Sequence, residues 1–114
     1  MSTETPSTPL KYKLVFFAPL SHVETCKEAV FATGAGTQGN YSKACFQSLG
    51  TGQFLPQDGA NPHIGKLGEV EKVEEMRVEL LCVGRETMLK AVEALLKAHP
   101  YEEPGWEVYK LENV

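Results

Sequence analysis

The 114-residue sequence has no run of basic residues and no long hydrophobic segment, and its formal net charge is −4. Because phosphate binding requires a basic face, the acidic balance argues against nucleic acid as the main partner. No apolar run approaches the roughly 18 residues that cross a membrane. The polar N-terminus lacks the pattern of a signal peptide. We therefore expect a cytoplasmic protein with neither a nucleic-acid nor a membrane partner.

Cysteine is also scarce, with only Cys26, Cys45 and Cys82, an odd number without C-x-x-C spacing. Each has apolar neighbours in the sequence. This pattern argues against a disulfide framework and predicts three buried free thiols in a reducing compartment.

The N-terminal half begins with a polar, proline-containing stretch, which predicts a disordered tail over residues 1–10 before a single domain over 11–112. The run KYKLVFFA predicts a strand over 11–18. Ser21 and Glu24 have the spacing of a capping box, which predicts a helix over 22–33 with Ser21 as its N-cap.

The C-terminal half continues with glycine-rich and then regular patterns. We predict a strand at 44–49 that Gly50 and Gly52 break, with a short further strand at 53–55. The segment 56–68 is predicted to be a long loop. The glutamate-rich segment 69–75 is predicted to be a solvated edge, with an acidic binding patch as the alternative. The remaining predicted elements are a strand at 77–83, a helix at 86–98 with Met88, Val92, Leu95 and Leu96 on its buried stripe, and a half-exposed strand at 106–111.

The element order is β-α-β-β-α-β, which predicts an α+β ferredoxin-like fold with two helices on one face of one antiparallel sheet. Eight of the ten glycines lie between residues 34 and 68. This elaborated middle must turn sharply several times, because glycine permits positive φ. A loop as long as 56–68 is typically functional or packed against a partner.

Residues 34–39 match the G-x-G-x-x-G pattern of dinucleotide-binding sites. Such a site requires a preceding strand and a following helix, whereas this stretch follows a predicted helix and precedes a predicted strand. We therefore reject a Rossmann interpretation. The backbone amides of Gly34, Gly36, Gly39 and Asn40 remain candidates for binding a small anionic ligand.

The predicted topology brings two distant segments to one end of the sheet, because the first and last strands are antiparallel neighbours. His22, His99, Glu102 and Glu103 then become candidate ligands for zinc or another divalent metal ion. The alternative is structural: His99 would favour a helix C-terminus, and His22 would simply be exposed. His63 cannot be placed by this reasoning. A catalytic constellation has little support, since no G-x-S-x-G motif is present and no cysteine lies on a strand-to-helix elbow.

Several motifs in order carry a family resemblance: YKLVFF, G-A-G-x-x-G-N-Y-S, G-T-G-x-F-x-P, N-P-x-I-G and H-P-Y-E-E-P. Over about residues 11–111 the chain resembles the YqfO-type domain of the Nif-three-like family, which also occurs in free-standing form. The resemblance implies a PII-like or CutA-like ferredoxin fold, a trimer, and a 50–68 segment that reaches across a subunit boundary. The larger members are sometimes labelled as type 2 GTP cyclohydrolases, but the two-metal site belongs to flanking domains that this sequence lacks.

Three functional hypotheses follow. The first is a non-enzymatic, regulatory homo-oligomer, with a trimer favoured, that binds a small ligand or a divalent metal ion. The second is a docking domain for a protein partner, and the third is a small metal-dependent hydrolase. The sequence does not name the ligand, the metal ion or the partner.

Overall fold

A computed structural model describes residues 9–114, so most of the predicted N-terminal tail lies outside the described residues. The elements follow the predicted order: β1 (Lys11–Pro19), α1 (Val23–Phe31), β2 (Phe46–Phe54), β3 (Glu71–Val83), α2 (Arg85–Ala98) and β4 (Trp106–Lys110). Within the described part of the chain, no helix is both long and apolar enough to cross a membrane.

The four strands form one antiparallel sheet in the order β2-β3-β1-β4. In the centre, Phe16 of β1 pairs with Val78 of β3 and with Trp106 of β4. This order confirms the predicted ferredoxin-like fold, including the juxtaposition of the end of β1 with the start of β4. β2 and β4 are the edge strands.

The core lies between the two helices and one face of the sheet. Alternate residues of the central strands point into it, because successive side chains of a strand face opposite sides. The fully buried members include Leu14, Phe16, Val78 and Leu95, while Cys26 and Cys82 fill smaller spaces. Burial raises the pKa of both thiols, that of Cys82 to about 11, so these cysteines are inert packing residues.

The two middle strands are longer than the sequence predicts. β2 runs without a break through Gly50 and Gly52, which pair with Glu75 and Val73 of β3. Neither glycine has a positive φ, so both accept the extended backbone, and the predicted break with a separate strand at 53–55 is wrong. β3 begins at Glu71, so much of the predicted solvated edge is strand, because pairing with β2 outweighs the low strand preference of its glutamates.

Three local predictions are also wrong. His22, rather than Ser21, is the N-cap of α1, and no side chain caps this helix; the Ser21 hydroxyl instead lies 2.8 Å from Nδ1 of His22. Cys45 is exposed, because it precedes an edge strand that no helix covers. Leu96 is also exposed, because the buried face of α2 is formed by Met88, Ala91 and Leu95.

Candidate functional site

An open cleft of about 750 Å³ lies where β1 and β2 end, below the loop that joins β2 to β3. Phe17 contributes from β1, Phe54 from β2 and Glu75 from β3, and the segment between α2 and β4 closes the opposite side. The volume falls in the range of small-molecule sites, about 300–1,000 Å³. Its walls include Phe17, Phe54, Leu55, Pro56, Pro62, Ile64 and Tyr101, and its polar side chains include Gln53, Gln57, Asp58, His63, Glu75, Glu102 and Glu103.

His99 fixes one wall of this cleft. Its Nε2 lies 2.6 Å from the carbonyl oxygen of Phe17, and its Nδ1 accepts a hydrogen bond of 3.1 Å from the amide of Tyr101. An Nδ1 that accepts places the proton on Nε2, which then donates to the carbonyl. Burial lowers the pKa of His99, opposed by the bond to Phe17 and aided by the charges of His22 and His63. The imidazole is therefore neutral at pH 7, and it joins β1 to the segment that carries Tyr101.

Tyr101 projects its ring among other rings of the cleft. Its centroid lies 6.1 Å from that of Phe54, 6.0 Å from that of His63 and 4.9 Å from that of His99. Its hydroxyl is buried and has no hydrogen-bond partner within the described part of the chain. Burial, followed by the negative charges of Glu75 and Glu71, raises the pKa of this phenol. A buried hydroxyl without a partner costs free energy, which a ligand that supplied the missing hydrogen bond would recover.

Glu75 brings a carboxylate into the same space. It pairs with Pro19 of β1 and with Gly50 of β2, and its side chain occupies the volume that a Cβ on Gly52 would need. Burial raises the pKa of Glu75. The missing side chain of Gly52 thus gives this carboxylate its position at the base of the cleft.

The β2–β3 loop is tied to the far wall by one hydrogen bond. The amide of Asn61 donates to the Glu102 carboxylate at 2.8 Å, across 41 residues of sequence. Within the loop, the amide of Gly68 donates to the carbonyl of Pro56 at 2.7 Å, which closes the base of the excursion. The loop therefore folds back over the cleft.

The four residues predicted to bind a metal ion occupy the predicted end of the sheet in different ways. Glu102 and Glu103 line the cleft, and the ring of His22 lies 5.9 Å from that of His63. Both ring nitrogens of His99 already have protein partners. Across residues 9–114, no group of three or more His, Cys, Asp or Glu side chains is arranged to hold a metal ion. Metal binding at this end stays a prediction.

The glycine-rich turn predicted to bind an anion lies elsewhere, beside β3. The amide of Gly36 donates to Leu81 at 2.8 Å, and that of Gly34 donates to Phe31 at 3.0 Å. Gly36 has a φ of 81°, and a Cβ there would lie 2.8 Å from the ring of Phe31. Gly34 and Gly36 thus have structural uses, while Gly39 and Asn40 are exposed in the turn. Anion binding by this turn stays a prediction.

Sequence reasoning missed the residues that form the base and roof of the cleft. Glu75 belongs to a stretch interpreted as a solvated edge, and His63 could not be placed. The available signal was the pair of glycines on β2, because a glycine opposite β3 leaves space for a longer side chain such as that of Glu75. Using that signal requires the β2–β3 register, which the sequence pattern does not supply.

Sequence relatives match over nearly the whole chain. It is 47% identical over 107 residues to the GTP cyclohydrolase 1 type 2 homolog of Halalkalibacterium halodurans, covering 94% of this chain and 28% of the relative. It is 43% identical over 110 residues to the protein of that description from Bacillus subtilis, covering 96% of this chain and 29% of the relative. The chain thus spans somewhat more than a quarter of these relatives. No family model matches it.

Solved structures give the same picture. The Bacillus cereus protein related to NIF3 superposes with a TM-score of 0.82 at 38% identity, covering 96% of this chain and 28% of the other. CutA1 from Ehrlichia chaffeensis superposes with a TM-score of 0.67 at 14% identity, covering 95% of this chain and 87% of CutA1. GlnK from B. subtilis superposes with a TM-score of 0.60 at 15% identity, covering 92% of this chain and 88% of GlnK. The last two likenesses show the fold alone.

Proposed function

We propose that this chain, a YqfO-type domain of the Nif-three-like family, is a non-catalytic binding module that holds a small ligand in the cleft and works as a homo-oligomer. The observation that carries the proposal is the cleft itself, with aromatic walls and a few convergent polar groups. This combination is the usual form of a small-molecule site. Binding there would be communicated through the β2–β3 loop, which forms the roof.

The polar groups of the cleft support binding. The Tyr101 hydroxyl lacks a partner, and Glu75 is held partly away from water. A ligand that hydrogen-bonds both groups would relieve their unfavourable environment and thereby stabilise the folded chain.

Self-association is supported by the exposed edge of the sheet at β2. Phe46, on the face without helices, is 65% exposed, and Leu49, on the face that carries the helices, is 60% exposed. An edge strand with large exposed hydrophobic side chains is suited to pairing with another chain. The likeness to CutA and PII-type folds leads us to favour three subunits. A docking domain for a different protein is the alternative that the same surface supports.

The proposal is tested by asking whether the purified protein releases a small molecule when it is denatured. Mass spectrometry of the filtrate should identify at least one compound with wild-type protein. Ala60→Trp, which places an indole at the wall of the cleft, should release much less, while Ala94→Trp on α2, away from the cleft, serves as the control. Equal release from all three proteins would contradict binding in the cleft. A turnover that His99→Ala abolishes without loss of the fold would instead favour the metal-dependent hydrolase.

A further inference from the structure

The cleft combines aromatic side chains with carboxylates and has little positive charge. Phe17, Phe54 and Tyr101 contribute rings, whereas Asp58, Glu75, Glu102 and Glu103 contribute carboxyl groups. Among the described residues that line the cleft, none is lysine or arginine, and His63 is the one titratable base. A phosphate-bearing ligand would therefore meet carboxylates instead of the cationic side chains that usually neutralise it.

An organic cation meets the opposite environment. The faces of aromatic rings attract cations, and the attraction grows when the site is partly removed from water. The rings of Phe54 and Tyr101 both line the cleft, with their centroids 6.1 Å apart and their planes tilted by 58°, so two aromatic rings are available to such a cation. Glu75 lines the cleft with these rings, its carboxyl group lies against Gly52, and the residue is half-buried.

The kind of cation can be narrowed further. A primary ammonium is compact and strongly hydrated, so moving it into a partly apolar cleft is costly. An alkylated ammonium is less hydrated and presents methyl groups to the rings. The Tyr101 hydroxyl, which has no partner among the described residues, favours in addition a ligand with a hydrogen-bonding group.

We infer that the cleft binds a free organic cation that carries an alkylated ammonium head and a nearby hydroxyl or carbonyl group, with Glu75 as its counter-ion and Tyr101 as its hydrogen-bond partner. This inference rests on the proposed function and names the chemical class of its ligand.

Choline and its neutral isostere 3,3-dimethylbutan-1-ol provide the matched probes, since they share shape and hydroxyl and differ in charge. Titration calorimetry with the full chain should show choline binding about tenfold more tightly than the isostere. Glu75→Gln should remove most of that difference. Glu74→Gln, which changes an exposed neighbour on the other face of β3, should preserve it. Retention of the thermal transition by both variants establishes that they are folded.

Phosphatidylcholine vesicles test separately whether the bound cation is a free molecule or the head group of a lipid. Binding of choline without cosedimentation of the protein with vesicles assigns the site to a free molecule, and cosedimentation would overturn that part of the inference. Equal affinity for choline and its isostere, or tighter binding of ATP, would overturn the cationic assignment but leave the small-molecule module standing. The module itself fails if the denatured protein releases no compound from the cleft.

Discussion

Gly52 contributes to the cleft by lacking a side chain. Its backbone is extended, so no positive φ demands glycine there, but the Glu75 carboxylate occupies the space beside its Cα. Gly50, two residues earlier on the same face of β2, has open space where a Cβ would lie. The two glycines thus form a natural pair for comparison.

We predict that Gly50→Ala stabilises the protein by about 0.5–1 kcal/mol, because alanine loses less backbone freedom on folding. Gly52→Ala should give no gain, or a loss of about 1 kcal/mol, because the Glu75 side chain must move. Urea unfolding measures both differences. Equal stabilisation by the two substitutions would show that Glu75 does not depend on Gly52.

Protonation of His99 couples the stability of the folded state to pH. Its pKa is lowered in the folded state by burial, while the unfolded chain titrates near the ordinary value of about 6.5. The unfolded state therefore binds more protons as the pH falls below that value, and stability is lost. The charges that act on His99 come from His22 before α1 and His63 in the β2–β3 loop.

We predict that the free energy of unfolding falls between pH 7.5 and pH 5.5, and that His99→Gln loses less over the same interval. Glutamine can donate to Phe17 and accept from Tyr101 without titrating. His22→Gln leaves those two hydrogen bonds in place and removes one neighbouring charge, so it should retain most of the pH dependence, because burial is the main cause of the lowered His99 pKa. A pH dependence that is the same in wild type and His99→Gln would exclude His99 as its source.

At the scale of elements, a comparison of β2 with the other elements shows where prediction from sequence succeeds and where it fails. Hydrophobic periodicity predicts β1 and both helices, because each buries a regular stripe, and alternation predicts β4, in which Val108 is half-buried. β2 is mostly exposed and has no such stripe, so the glycines were misinterpreted as breaks. Its continuity depends on hydrogen bonds to β3, a nonlocal interaction that composition does not reveal. The cleft shares this difficulty, since Glu75 and His63 come to line it only through the β2–β3 register and the path of the loop.

The exposed side chains of β2 lead to a prediction about assembly. Phe46→Lys should shift the protein toward the monomer, because a charge on an edge strand opposes pairing with another chain. Leu89→Lys, at an exposed position on α2, should leave the assembly unchanged. Sedimentation velocity measures both. An unchanged sedimentation coefficient for Phe46→Lys would exclude the β2 edge from the interface.

At the scale of the whole molecule, we assign the proposed binding and the proposed assembly to different surfaces of a small domain. The helices and one sheet face supply stability through a continuous core. The cleft at the end of the sheet and the exposed edge strand carry the proposed binding and assembly. The chain covers somewhat more than a quarter of the length of these relatives. The proposed binding and assembly therefore concern this domain, and the activity of the longer proteins is a separate question.

Native mass spectrometry of the untagged protein tests the central claim most directly, because it reports the number of subunits and any bound mass together. We predict an oligomer, with three subunits favoured, that carries one small molecule per chain and loses that mass in Ala60→Trp. A monomer without bound mass, under conditions that preserve a control oligomer, would contradict the proposed oligomeric binding module.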